Sequence, residues 1–130
     1  MVTAFANMST KMGRTTFDYI IRFNAVASLA FKSVEWVEVS KTKDGKYIIL
    51  TPTTEPLPGE RRSVGHIDWD GGYVRLFANY MVKHEQFLRA SWFDNQRHKV
   101  KKDKKGNIYI CLWEVIESDG RGHIGSEIQS

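Results

Sequence analysis

Two stretches of this chain carry the same order of signals, and that order limits the folds open to it. Residues 17–23 (FDYIIRF) are rich in β-branched and aromatic side chains, which suits a strand. Asn24 follows as a helix N-cap, and Ala25, Val26, Leu29 and Ala30 place apolar groups on one side of a short helix ending near Ser33. Residues 36–40 (WVEVS) then alternate as a strand does. Asp44-Gly45 supplies the left-handed pair of a tight hairpin, and residues 47–50 (YIIL) return before Pro52. The order recurs further on, where residues 18–23 match residues 72–77 at an offset of 54, Trp36 matches Trp92 at 56, and Gly45 matches Gly106 at 61.

In the second stretch, Tyr80, His84, Phe87 and Leu88 share one helical stripe, which predicts a helix over residues 78–89. Residues 104–107 then form a second hairpin turn, and residues 107–117 the closing strand. Residues 52–65 (PTTEPLPGERRSVG) hold all three prolines and read as a connection. The expected fold is an α+β domain over residues 15–117, with a mainly antiparallel sheet and two short helices. Its strands form either a tandem β-α-β-β pseudo-repeat or, without a repeat, a five- or six-stranded sheet. Residues 1–14 and 118–130 are expected to be loose ends.

A hydrophobic share of 42%, with four Trp, five Tyr and seven Phe, supplies a core for one domain of this size. The amino-terminal stretch has no apolar core of signal-peptide length and no segment is long enough to span a membrane, so a cytoplasmic location is expected. The single cysteine, Cys111, sits in the apolar run IYICLW, as a core thiol would.

Residues 20–53 (IIRFNAVASLAFKSVEWVEVSKTKDGKYIILTPT) resemble one arm of the AbrB/SpoVT-type swapped-hairpin fold. The features shared are Val37-Glu38-Val39, Asp44-Gly45-Lys46, and Ile48-Ile49-Leu50 before Pro52. The chain departs from that family where it has Asn24-Ala25 after the first strand and Val34-Glu35 before the second. The resemblance implies a dimeric DNA-binding architecture in which strand, helix and hairpin interleave with a second copy. Here the tandem copy at residues 73–113 stands in for the partner subunit.

Charge is localised. The chain carries a net +4, but residues 97–105 hold Arg97, Lys99, Lys101, Lys102, Lys104 and Lys105 against Asp103 alone, so that segment is +5 and the remainder sums to −1. Alternation in residues 97–101 places Arg97, Lys99 and Lys101 on one face, about 7 Å apart, a spacing suited to phosphates. Arg61 and Arg62 extend the patch, and Trp92 and Phe93 are the nearby side chains able to stack on a base. A solvated hairpin whose lysines guard a sheet edge is the alternative.

His66, Asp68 and Asp70 alternate on one side of an extended segment, but no second ligand cluster accompanies them, and Asp70-Gly71-Gly72 reads as a turn. The chain has no G-x-S-x-G elbow, phosphate loop or H-E-x-x-H pair, so no catalytic residue, metal or cofactor is predicted. The function expected is therefore a non-enzymatic, homo-oligomeric binding protein that contacts nucleic acid through the basic hairpin. The second reading is a small accessory protein of phage or mobile-element type. Such a protein would sequester an anionic nucleotide-type ligand or inhibit a host protein through an aromatic surface.

Overall fold

The chain forms a closed barrel of eight antiparallel strands. The computed structural model describes residues 3–12, 17–60, 63–85, 87–88 and 96–116. In chain order the elements are β1 (Phe5–Met12), β2 (Phe17–Phe23), α1 (Ala25–Ser28) running into a 3₁₀ turn (Leu29–Phe31), β3 (Trp36–Lys41), β4 (Tyr47–Thr53), β5 (Val64–Asp70), β6 (Tyr73–Phe77), α2 (Asn79–His84), β7 (Gln96–Lys102) and β8 (Ile108–Ile116). Around the ring the order is β1-β2-β6-β5-β3-β4-β8-β7, and β7 returns to β1.

This corrects the α+β expectation of an open sheet with two helices. Among the described residues, helix amounts to the four-residue α1 with its 3₁₀ turn, the six-residue α2 and residues 87–88, and the eight strands close into a ring. β1 and the start of β5 lie in segments whose sequence predicts no strand. β1 draws on the segment read as a loose end, where the inward side chains Ala6 and Met8 alternate with Asn7 and Ser9 and the apolar signal is faint. β5 begins at Val64, inside the segment read as a connection, while β4 runs on through Pro52 to Thr53. The connection proper is thus residues 54–63.

Alternation explains the core. Ala6, Met8, Ile21, Phe23, Val37, Val39, Ile48, Leu50, Ile67, Val74, Leu76, Ile108 and Ile110 point inward and form one buried cluster, which Ala27, Phe31, Met81, Val82 and Leu88 from the helical segments complete. Asn24 ties the first segment down, since its Oδ1 accepts from the Ala27 and Phe5 N–H groups and its Nδ2 donates to the Thr3 carbonyl. Ser28, fully buried, donates to the Asn24 carbonyl and accepts from Val74 N–H, so a polar pair fixes α1 on β6. Gly65 is where α2 approaches most closely. A Cβ there would lie 2.5 Å from Leu76 Cδ1 and 2.6 Å from Met81 Sδ.

The ring has an internal order of its own. Moving each strand four places along the chain, and β5–β8 back onto β1–β4, leaves the ring unchanged. Each half of the chain is β-β-α-β-β, and its two hairpins alternate around the barrel with those of the other half. Under this exchange the β3–β5 seam corresponds to the β7–β1 seam.

Candidate nucleic-acid interface

The basic segment is a hairpin held by one carboxylate. Asp103 Oδ1 accepts from the Lys105 and Asn107 N–H groups, and Oδ2 accepts from Asn107 Nδ2 and, at 3.3 Å, from the Tyr109 hydroxyl. Partial desolvation pushes this carboxyl up, but the hydrogen bonds from Asn107, Lys105 and Tyr109 outweigh it and hold the pKa below the ordinary carboxylate value. The only acid of the segment is therefore engaged with its own turn. Gly106 closes the turn at φ 92°, and Gly45 closes the β3–β4 turn at φ 72° while Asp44 keeps a negative φ. Each hairpin thus has a single left-handed glycine, instead of the left-handed Asp-Gly pair expected in the first.

Along β7, His98 is buried and Val100 packs against the core, so Arg97, Lys99 and Lys101 share the outer face. Arg97 lies over the Phe5 ring, 5.0 Å from its centroid, and Lys101 lies 4.5 Å from the Tyr47 and 5.6 Å from the Tyr109 centroid. Those two tyrosines meet edge to face at 6.0 Å. Lys104 and Lys105 are exposed at the turn. Lys102 has the opposite parity and, with Lys101, borders a groove of about 270 Å³ against Val26, Leu29 and Ala30. The hairpin therefore gathers five of the six cations on its outer face and tip, and sets Lys102 towards α1. Arg61, Arg62, Trp92 and Phe93 lie outside the described residues.

Two arginines missed from the sequence extend the row. Register aligns Arg97 with Asn7, Asn7 with Arg22, Arg22 with Arg75, and Arg75 with Asp68, a line crossing five strands. Arg22 Nη1 donates to Ser9 Oγ at 2.8 Å, and Arg75 is ion-paired to Asp68. The signal was present in the sequence, because each arginine is the outward residue between two inward apolar ones.

His98 sits beneath this row, where its Nδ1–H donates to the Cys111 carbonyl at 2.8 Å. Burial pushes its pKa below the usual histidine value, and the bond to Cys111 opposes that only in part. It is a neutral core histidine with a fixed tautomer. The Cys111 thiol is also buried.

The β3–β5 seam differs. Trp36 pairs with His66 at a ring separation of 4.8 Å, above a cleft of about 850 Å³ lined by Ser33, Glu35, Trp36, Thr54, Glu55 and Trp69 among others. A second cavity of about 360 Å³ shares Trp36 and His66 and is lined also by Pro56, Phe77 and Tyr80. Asp68 and Asp70 do not converge with His66 on a common point. Their cross-strand partners are Arg75, Tyr73 and Phe77 respectively, and among the described residues no three His, Cys, Asp or Glu side chains group as metal ligands. Among the described residues, no helix is long and apolar enough to cross a membrane.

No protein-family model matches the chain, and neither the curated proteins nor the solved structures provide a match.

Proposed function

We propose that this chain is a non-enzymatic, cytoplasmic nucleic-acid-binding protein whose contact surface is the β7–β8 hairpin with the arginine row beside it. The observation that carries the reading is the placement of six cations in nine residues on a hairpin built into the barrel wall, with β7 paired to β1 over residues 96–99 and β8 to β4 over residues 108–111. At Arg97 and Lys99 there is no edge for a cation to guard, because β7 is paired with β1 at both positions. Cations presented in a row with aromatic rings beneath them suit a phosphate backbone with bases turned inward.

The resemblance to the AbrB/SpoVT-type fold draws support from the alternation of hairpins between the two halves of the chain. A swapped-hairpin barrel obtains that interleaving from two subunits, whereas here one chain supplies both. The expected homo-oligomer stays part of this proposal, since a dimer would double the basic hairpin. Sequestration of an anionic ligand is less well supported, because the larger cleft carries Glu35 and Glu55.

The test is fluorescence anisotropy with labelled duplex DNA, single-stranded DNA and RNA at several salt concentrations. With about five phosphate contacts, the logarithm of affinity for duplex DNA falls with the logarithm of salt at a slope of about −4 to −5. The Lys101→Glu/Lys102→Glu variant is expected to lose binding with an unchanged melting temperature. Wild-type affinity in that variant for all three probes would end this reading.

A further inference from the structure

The cleft at the β3–β5 seam is separate from the basic hairpin, and its chemistry is the reverse. Its lining includes two carboxylates, Glu35 and Glu55, three aromatic rings, Trp36, His66 and Trp69, and the hydroxyls of Ser33, Thr53 and Thr54, and no described Lys or Arg faces it. The indole faces of Trp36 and Trp69 are negative at their centres and the two carboxylates add formal charge, so these four groups favour a cation. Trp69, in the same lining, is 42% exposed. Trp36 meets the His66 ring at a tilt of 52°.

The backbone of the cleft is also constrained. Ser33, at φ 62°, is the one described non-glycine residue in the left-handed region, and it turns the chain into the cleft wall. Two residues on, the Glu35 carbonyl accepts from Ile67 N–H at 2.8 Å and fixes that segment on β5. The carboxylate and the indole that follows it are therefore presented from a pinned main chain.

We propose that this cleft is a binding site for an organic cation, an alkylammonium or guanidinium group whose hydrocarbon part lies against Trp36 and Trp69 while its charge faces Glu35 and Glu55. The site takes either a free small cation or the side chain of a lysine- or arginine-bearing peptide, which share this chemistry.

The experiment is a titration of the ¹⁵N-labelled full chain with tetramethylammonium chloride, following the indole N–H resonances of Trp36 and Trp69, which Trp69→Phe assigns. Sodium chloride controls for ionic strength. Neutral tert-butyl alcohol, similar in shape, controls for simple apolar contact. Both indole signals are expected to shift saturably with tetramethylammonium alone, and Glu35→Gln/Glu55→Gln to weaken that binding about fivefold or more while leaving the rest of the spectrum in place. Equal shifts with tert-butyl alcohol, no saturable shift, or an undiminished affinity in the double variant would overturn the proposal. A short Lys-Ala peptide is run alongside. Tighter binding than tetramethylammonium names a peptide as the source, and weaker binding names a free cation.

Discussion

The β7–β1 and β3–β5 seams occupy corresponding places in a ring that its two halves build alike, yet they face solvent with opposite chemistry. On one, Arg97 and Lys99 stand across from Asn7 and Phe5. On the other, Trp36 stands across from His66, with Glu35 and Glu55 beside them. Inward, the two seams agree in form, since each sets a larger residue opposite a small one: His98 against Ala6, and Val37 against Gly65. Core geometry dictates the inner pair and leaves the outer faces free. What distinguishes the halves is therefore carried by side chains that the fold does not need, which is where binding specificity belongs.

The contrast is broken most severely by moving charge. Reversing Arg97, Lys99 and Lys101 to Glu is expected to lower nucleic-acid affinity by about 100-fold or more, since each neutralised phosphate contact contributes to counterion release. The same three reversals at Lys41, Lys43 and Lys46, on the β3–β4 hairpin, are expected to change it by no more than about threefold, the long-range field alone being altered. Anisotropy under matched salt decides this. Comparable losses from both triplets would mean that net charge, and not the β7 face, governs binding.

Beneath the surface the seams differ in how much room they leave. In Gly65→Ala the new methyl would meet Leu76 Cδ1, Met81 Sδ and, at 3.0 Å, the Phe77 carbonyl oxygen. The side chains can give but the backbone cannot move freely, so a cost of about 1–3 kcal/mol is expected in urea unfolding. At the matching position Ala6→Gly removes a methyl from a strand and is expected to cost only about 0.5–1 kcal/mol. A neutral Gly65→Ala would show that α2 is not seated against β5 as described.

The sequence made some of this barrel legible and hid the rest for definable reasons. Strands β2, β3, β4 and β8 announced themselves through Val, Ile, Tyr and Trp, and Asn24 through its place before an apolar stripe. β1 did not, because Ala, Asn, Met and Ser form a strand here only through pairing with β2 and β7. β5 was masked by the prolines before it and by a glycine in its second position that reads as a breaker, but which close approach of Leu76 and Met81 demands. Closure itself leaves no local trace, since it is a property of which strands meet. The basic hairpin was visible as a charge run. The outward places of Arg22 and Arg75 were legible from alternation, but their alignment in a row and the aromatic cleft were not, because register alone brings Arg22 beside Arg75 and Trp36 beside His66.

The smallest expected effect separates the inner residues that the seams place opposite their small partners. Val37 carries no proton equilibrium, whereas His98 is buried and neutral, and its pKa is lowered in the fold. A base whose folded pKa lies below its unfolded value leaves the unfolded chain holding the extra proton. Stability from neutral burial is then fully present above the unfolded pKa of about 6.5 and is lost as pH falls through the folded value. The bond to the Cys111 carbonyl opposes the effect of burial. The melting temperature is expected to decline as pH falls below about 6.5, and His98→Gln is expected to flatten that decline while retaining a donor for Cys111. If the slope persists in His98→Gln, the acid sensitivity arises elsewhere, and the β7–β1 seam differs from its counterpart in its outer charges alone.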